Sequence, residues 1–304
     1  MNPEQLVVGI SYTKSKKLPL AVCDALYEGV KKCGDIPFKI KTKKDLRHCD
    51  VITQYGPWNG GQETIRGDVE EFAKKNKIRK LCLDIGFIKN HRLDPDSLEA
   101  YTTIGYDDFK NYGDYYYDNH NGYYTGSLSE SSRWNSFGIE IKPWRQDGEH
   151  ILVLGQPQGW STAAININEW TNSTIKSLKQ YTDRPIWLRQ HPLHKSRLTL
   201  EDKSVRIIEV DEHPLEKDFE NCWAVVSYSS SAVIPALLAG IPIVCNSNLS
   251  IGYPLAEKNI ANIEAPEMPR RRKFFYDLAY SQWNLSEIAS GNPWSFYRKH
   301  YNDI

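Results

Sequence analysis

The sequence predicts an α/β protein with two doubly wound, Rossmann-like domains that face a common cleft. In both halves of the chain, short apolar runs of strand length alternate with amphipathic segments of helix length. Between the halves, at about 89–138, lies an irregular stretch rich in Tyr, Asn, Asp and Gly. The 304 residues are enough for two domains of ordinary size, which we place at 1–145 and 146–304.

The first half opens on an apolar run at 6–11 that predicts a strand. Apolar residues at helical spacing in 18–32, followed by Gly34, predict the first helix and its end. Strands are also predicted at 37–40, 50–56 and 80–86, and a helix at 62–76. Strands alternating with helices of this size predict a parallel sheet covered on both faces.

The second half resumes the alternation after the irregular stretch. A buried strand at 150–155 precedes a polar turn and a helix at about 167–181. Further strands are predicted at 185–189, 205–210, 223–227 and 241–244, with a short helix between the last two. The segment 270–289 is predicted as a C-terminal helix, because its large apolar residues fall roughly on one side.

Composition restricts the possible functions. Lys and Arg together number 38, as do Asp and Glu, so no overall positive field attracts nucleic acid or a membrane. The six cysteines form no Cys-x-x-Cys pair, which is typical of buried thiols in a reducing compartment. Because no signal peptide or membrane-length apolar run is found, we expect a cytoplasmic protein. The 18 Tyr and 9 Trp could line a carbohydrate or base-stacking surface, but such residues more often fill cores.

The segment 227–244 is the most informative part of the chain. It predicts a strand end, a hydroxyl-rich turn, a short helix, a glycine stop and another strand. Such a turn offers backbone N–H groups and the positive end of the helix dipole. Ser229, Ser230 and Ser231 are therefore candidates for binding phosphate oxygens of a nucleotide. The alternative is that a serine here only caps the helix, a position where serine is favoured.

A second strand exit, at 187–194, ends in a cation and a histidine. Pro192 favours extended backbone at His191, whose imidazole could then donate to a phosphate or a leaving diphosphate. Arg189 lies on the same face of the strand and would add a fixed positive charge. His191 could instead be a solvent-facing loop residue, and a metal site with His194 lacks a third ligand.

The turn 155–161 follows the first strand of the second half. Its glycine and polar residues allow close approach of a phosphate or sugar, which makes Gly155, Gln156 and Gln158 binding candidates. The turn is not a Gly-x-Gly-x-x-Gly fingerprint, and no Walker or kinase sequence is present.

Candidates in the first half are less specific. Asp84 stands near the end of a buried strand, where a carboxylate could act as general base toward a hydroxyl or could simply cap a turn. Acidic and histidine side chains of the irregular segment are rivals for the base: Asp107, Asp114, Asp118 and His120. There are two basic stretches, the lysines at 14–17 and the run 270–273. Each could bind a polyanion or could simply be a solvated face.

Several of these segments resemble a known family. The pairing of 189–192 with 229–244 resembles GT-B glycosyltransferases of the capsular-polysaccharide type, in which a His-Pro motif and a serine-rich motif bind the donor nucleotide. The tail 277–291, and 83–87 together with Arg92, resemble compact bacteriophage relatives. There the family pattern leads us to expect Glu where this chain has Asp84.

The resemblance implies a glycosyltransferase that moves a sugar from a UDP- or CMP-sugar to a hydroxyl group, with no metal or further cofactor. The second domain would hold the donor through Gly155, Gln156, Gln158, Arg189, His191, Ser229, Ser230 and Ser231. Acceptor contacts would come from Lys14, Lys17, Trp58, Arg92, Tyr112 and Arg271, with Asp84 and His191 catalytic. Compact phage relatives favour a hydroxymethylated base in double-stranded DNA as acceptor. A surface polysaccharide is the main alternative, followed by a nucleotide-sugar epimerase or a non-catalytic nucleotide-binding module.

Overall fold

The computed structural model describes residues 5–12, 17–56, 65–89, 98–106, 130–192, 198–209 and 211–299. The chain forms two compact units, 1–109 together with 278–304, and 110–277. The predicted domains were 1–145 and 146–304, so the structure corrects them at both ends. Residues 130–145 belong to the second unit, and the C-terminal segment returns to the first because it pairs with that unit's sheet.

Unit 1 contains a mixed six-stranded sheet. Its strands are β1 (Val7–Ser11), β2 (Ile36–Ile40), β3 (Val51–Tyr55), β4 (Arg79–Ile85), β5 (Thr102–Tyr106) and β11 (Gln282–Trp283). The order across the sheet is β11-β5-β4-β3-β1-β2. The strands β1 to β4 pair in parallel, as predicted, whereas β5 and β11 pair antiparallel. The sequence did not predict these two antiparallel strands.

The helices of unit 1 come from both ends of the chain. They are α1 (Lys17–Lys32), α2 (Ile65–Asn76), α8 (Leu285–Ser290) and α9 (Asn292–Lys299). In α1 the apolar residues Val22, Leu26 and Val30 are buried as their helical spacing predicts, whereas Leu20 is exposed. Helix α1 packs against α8, which fastens the C-terminal segment to unit 1.

The predicted helix 270–289 is three elements in the structure. Helix α7 (Arg272–Ala279) ends before β11, and α8 begins afterwards. A capping box between Asn284 and Glu287 starts α8, and Gly291, with a φ of 91°, ends it. The single-helix prediction was wrong because Gln282 and Trp283 pair with β5 and Asn284 begins a new helix.

Unit 2 contains a parallel five-stranded sheet. Its strands are β6 (His150–Leu154), β7 (Ile186–Arg189), β8 (Arg206–Ile208), β9 (Cys222–Val226) and β10 (Ile243–Val244), in the order β10-β9-β6-β7-β8. Every pairing is parallel. Each of these strands had been predicted. The strands β6, β9 and β10 are fully buried, and strands buried on both faces are typically continuous apolar runs.

The helices of unit 2 cover both faces of its sheet. They are α3 (Ser131–Ser136), α4 (Ile167–Leu178), α5 (Leu215–Asp218), α6 (Val233–Leu238) and α7. Helix α4 packs on one face, in a core with Ile151, Val153 and Val226. On the other face the side chains of Ile243 and Val233, the latter from α6, meet around Gly252. Among the described residues, no helix has both the length and the apolar character that crossing a membrane requires.

The docking of α9 yields the first prediction, which concerns stability. The fully buried Trp294 donates from Nε1 to Asp35 at 2.7 Å. Replacing Trp294 by alanine removes a large core side chain and this hydrogen bond, so we expect the free energy of unfolding to fall by about 3–5 kcal/mol. Urea denaturation measures it. Tyr181→Ala is the matched control, since Tyr181 is 44% exposed, and should change stability by less than about 0.5 kcal/mol. Equal midpoints for both variants would contradict the docking of α9.

Candidate functional site

The strand order of unit 2 reverses between β6 and β9. From β6 the chain continues through α4 to β7 on one side, and from β9 it continues through α6 to β10 on the other. Connections that diverge in this way leave a crevice at the carboxyl ends of the two central strands, where open α/β sheets bind ligands. The loop beginning at Gly155 and the serine turn, residues 227–232, flank this crevice.

One side chain joins these two loops. Gln156 is 4% exposed, and its Oε1 accepts a hydrogen bond from the Ser229 backbone N–H at 2.7 Å. Its Nε2 donates to the Ser229 hydroxyl at 2.9 Å. The structure therefore brings together two residues that were predicted separately as donor contacts. The paired amide fixes the serine turn relative to the end of β6.

The serine turn is held by its own hydroxyls. The Ser227 Oγ accepts from the Ser230 N–H at 2.9 Å, and the Ser230 Oγ accepts from the Ala232 N–H at 3.3 Å. Helix α6 begins only at Val233, with Ala232 at its N-cap and no side-chain cap. Ser230 thus has a local, cap-like role. Ser229 is bound to Gln156, and Ser231 is 8% exposed.

A pocket of about 360 Å³ lies beside the serine turn, between α4 and the carboxyl ends of β9 and β10. Ligand pockets commonly measure about 300–1,000 Å³. Lining side chains include Trp170, Thr174, Ser177, Ser227, Asn246 and Lys258. Among the described residues, its lining contains one cation and no carboxylate. Hydroxyl and amide groups beside an indole suit a polar ring such as a sugar or a nucleobase.

The exit of β7 differs from the prediction in one respect. Arg189 is 8% exposed, and its guanidinium donates to Asp218 Oδ2 at 2.5 Å and to the His213 backbone oxygen at 2.7 Å. It is therefore a buried, paired cation and does not supply the free positive charge that was predicted for donor binding. His191, two residues further on, is half-buried just beyond β7.

Two residues after β6 that were predicted to bind the sugar donor have structural roles. The Gly155 N–H donates to the Arg189 backbone oxygen at 2.9 Å, and a Cβ on Gly155 would lie 2.7 Å from that oxygen. Any larger residue at this position would collide with the end of β7. The glycine is therefore needed for strand packing, which corrects the prediction that it allows close approach of a ligand. Gln158 donates from Nε2 to the Thr162 and Ile165 backbone oxygens at 2.6 and 2.9 Å, so it closes the loop before α4.

Arg271 is also buried rather than available to a polyanion. Its guanidinium donates to the backbone oxygens of Leu237 and Lys142 and lies 3.8 Å from the ring centroid of Trp144. Burial lowers its pKa to about 10. The predicted acceptor contact is corrected, because this side chain stabilises the interior of unit 2.

In unit 1, Asp84 occupies the next-to-last position of β4 and is half-buried. Its Oδ1 accepts from the Ile85 N–H at 2.8 Å, a local bond of the turn-capping kind. The Tyr55 hydroxyl at the end of β3 is buried and has no hydrogen-bond partner. Burial raises the pKa of Tyr55, and the charge of Asp84 adds to the effect. Tyr55 was not among the predicted site residues, since its position in the sequence indicates only a strand end.

Other predicted acceptor contacts are only partly described. Lys17 is the first residue of α1 and is exposed. Lys14, Trp58, Arg92 and Tyr112 lie outside the described residues, as do the rival acids of the irregular segment and His194.

The site also contains residues that sequence reasoning missed. Asp218, at the end of α5, is fully buried, and its Oδ1 lies 2.6 Å from the His213 Nε2. The His150 Nε2 lies 3.0 Å from the Asp218 backbone oxygen, and burial lowers the pKa of His150. Nothing in the sequence pairs this carboxylate with Arg189, since the partners stand 29 residues apart.

The fold is shared with proteins of known structure, although no match is found at the level of sequence. No protein-family model matches the chain, and no curated protein sequence matches it. Among solved structures, KpsC from Thermosulfurimonas dismutans, described as a beta Kdo 2,4 transferase, superposes with a TM-score of 0.60 at 14% identity, covering 91% of each chain. The chain has the GT-B fold. The predicted architecture of two Rossmann-like domains is thereby confirmed.

Further solved structures are similar over most of the chain but superpose less well. One is the beta Kdo 2,7 transferase of KpsC from the same organism, with a TM-score of 0.48, 12% identity and coverage of 91% and 90%. Another is the UDP-GlcNAc 2-epimerase of Methanocaldococcus jannaschii, with a TM-score of 0.32, 12% identity and coverage of 97% and 99%.

Proposed function

We propose that the protein is a glycosyltransferase that moves a sugar from a UDP- or CMP-sugar to a hydroxyl group, without a metal ion. The observation that carries this proposal is the double hydrogen bond between Gln156 and Ser229 at the point where the strand order of unit 2 reverses. This bond presents a turn of three consecutive serines at the place where α/β sheets bind nucleotides.

The donor would be held by three features of unit 2. The serine turn supplies the hydroxyls of Ser229 and Ser231 for the phosphate, since the N–H groups of Ser229 and Ser230 are bonded to Gln156 and Ser227. His191 supplies an imidazole at the neighbouring strand exit. The pocket beside Ser227 has room for one ring system of the donor, either its base or its sugar. The GT-B fold shared with a Kdo transferase supports this assignment, and it makes a Kdo-type sugar a leading donor to test.

The reaction exchanges one carbon–oxygen bond for another. The bond from the anomeric carbon to the phosphate oxygen breaks, and the nucleotide leaves with the bonding electron pair. The acceptor oxygen forms the new bond, and its proton passes to a base. His191 would stabilise the departing phosphate. Asp84 in unit 1 is the candidate base, because it is a half-buried carboxylate near the carboxyl end of β4.

For the acceptor, we favour a glycan hydroxyl over a hydroxymethylated base in phage DNA. The burial of Arg271 removes one of the cations that the DNA interpretation required. The chain's formal net charge is zero, which offers no general attraction to a duplex. The neighbour's description as a Kdo transferase also favours a glycan.

The proposal is tested by incubating the protein with UDP-glucose, UDP-N-acetylglucosamine, CMP-N-acetylneuraminic acid and CMP-Kdo. Each donor is paired with an oligosaccharide acceptor, with hydroxymethylated duplex DNA or with plain duplex DNA. We expect nucleotide release that increases with the oligosaccharide, and a product heavier by one sugar. Sugar on modified DNA alone would contradict the glycan acceptor. An epimerised donor without acceptor, or no donor consumption at all, would contradict the transferase.

A further inference from the structure

Unit 2 contains a buried ionic cluster of Asp218, Arg189 and His213. Asp218 has no exposed surface, and both of its carboxylate oxygens are bonded, Oδ2 to Arg189 at 2.5 Å and Oδ1 to the His213 Nε2 at 2.6 Å. Arg189 also donates to the His213 backbone oxygen at 2.7 Å, which closes the cluster. Helix α5, β7 and the loop after β8 are thereby joined at one point.

The cluster lies directly before the proposed catalytic histidine. Arg189 is the last residue of β7, and His191 follows two residues later. The backbone oxygen of Arg189 accepts from Gly155, and the Gln190 N–H donates to Ile208 at 3.0 Å. The strand exit is therefore held by β6 on one side, by β8 on the other, and by Asp218 through the Arg189 side chain.

Stability alone is a poor reason for such a cluster. Removing charges from water costs several kcal/mol per ion, and well-packed apolar residues are often as stable as a buried ion pair. The directional bonds of a guanidinium with a carboxylate do provide fixed geometry. A fixed geometry matters here because a misplacement of about 1 Å at a reacting group can reduce rates about 100-fold.

We propose that Asp218 and His213 are positioning residues that act through Arg189 to hold the His191 imidazole against the leaving phosphate. The proposal rests on the proposed function for the identity of the reaction. The placement of His191 is a separate claim and has its own readout. Asp218 itself touches neither donor nor acceptor in this assignment.

The test compares His213→Leu, which removes the hydrogen bond to Asp218, with His213→Gln, which keeps a donor. Arg184→Ala is the matched control, because Arg184 is likewise an ion-paired arginine of unit 2, bonded to Glu264, but precedes β7 instead of ending it. For each variant, kcat and the KM for the sugar donor are measured by steady-state kinetics, and the melting temperature is measured by thermal unfolding. We expect His213→Leu to lower kcat about 10-fold with KM nearly unchanged, His213→Gln to recover most of it, and Arg184→Ala to leave kcat unchanged.

The decisive experiment combines His213→Leu with His191→Ala. In a His191→Ala background, His213→Leu should not lower kcat any further, because the imidazole that His213 helps to position is already absent. An equal loss in both backgrounds would overturn the proposal, as would an equal loss in Arg184→Ala.

A second readout does not require turnover. The Cε1–H resonance of His191 in a ¹³C NMR spectrum should move in His213→Leu and return in His213→Gln. An unmoved resonance would overturn the positioning role. A moved resonance in a protein without transferase activity would reject the proposed function while leaving the positioning of His191 intact.

Discussion

Replacing His191 by alanine is expected to lower turnover by about 100- to 1,000-fold, the range that follows from losing a group that stabilises a leaving oxygen. The stability of the fold should change little, because the side chain is half-buried in a loop exit and not part of the core. Steady-state kinetics with the preferred donor and a thermal melt measure the two effects. The expected result is a large loss of kcat with an almost unchanged melting temperature.

The control for this variant is His48→Ala. His48 is an exposed histidine of unit 1 whose ring contacts Phe38 edge-on, at 6.4 Å between centroids, and it has no part in the proposed donor site. Its removal should leave turnover unchanged. Normal transfer by the His191 variant, or equal losses in both variants, would show that β7 does not carry the donor contact.

Replacing Gln156 by glutamate is expected to weaken nucleotide binding by about 100-fold or more. The substitution keeps the size of the side chain but places a negative charge beside the turn proposed to hold phosphate. Two unit charges about 5 Å apart at an effective dielectric constant of about 20 repel by about 3 kcal/mol, which corresponds to about 100-fold in affinity. Glutamate also loses the Nε2 donor to the Ser229 hydroxyl. Titration calorimetry with UDP or CMP measures the loss.

Gln180→Glu makes the same charge change at an exposed position that follows α4, and should leave nucleotide affinity unchanged. An affinity of the Gln156 variant within about twofold of the parent would place the phosphate elsewhere.

The fold was predicted best where elements are local or fully buried. The strands of unit 2 and the helix α1 follow from apolar runs and helical spacing, which a sequence displays directly. Strands β5 and β11 were missed because antiparallel pairing between residues near 103 and 282 depends on contacts remote in sequence. For the same reason the return of the C-terminal segment to unit 1 gave no sequence signal.

The sequence predicted two of the residues that meet beside the serine turn, but it did not predict how the candidate cations are paired. Gln156 and Ser229 were chosen from separate turns, and the structure bonds them. Arg189 and Arg271 were chosen as free cations, yet each is buried against partners that no local pattern identifies. A sequence shows that a charge is present, whereas its availability depends on the groups that the fold brings to it.

The central claim is that unit 2 holds a nucleotide's phosphate on the serine turn. A crystal structure with bound UDP or CMP tests it most directly. We predict phosphate oxygens within hydrogen-bonding distance of Ser229, Ser230 or Ser231, and a ring of the ligand in the pocket beside Ser227. A nucleotide bound to unit 1, or to unit 2 with no contact to this turn, would contradict the account.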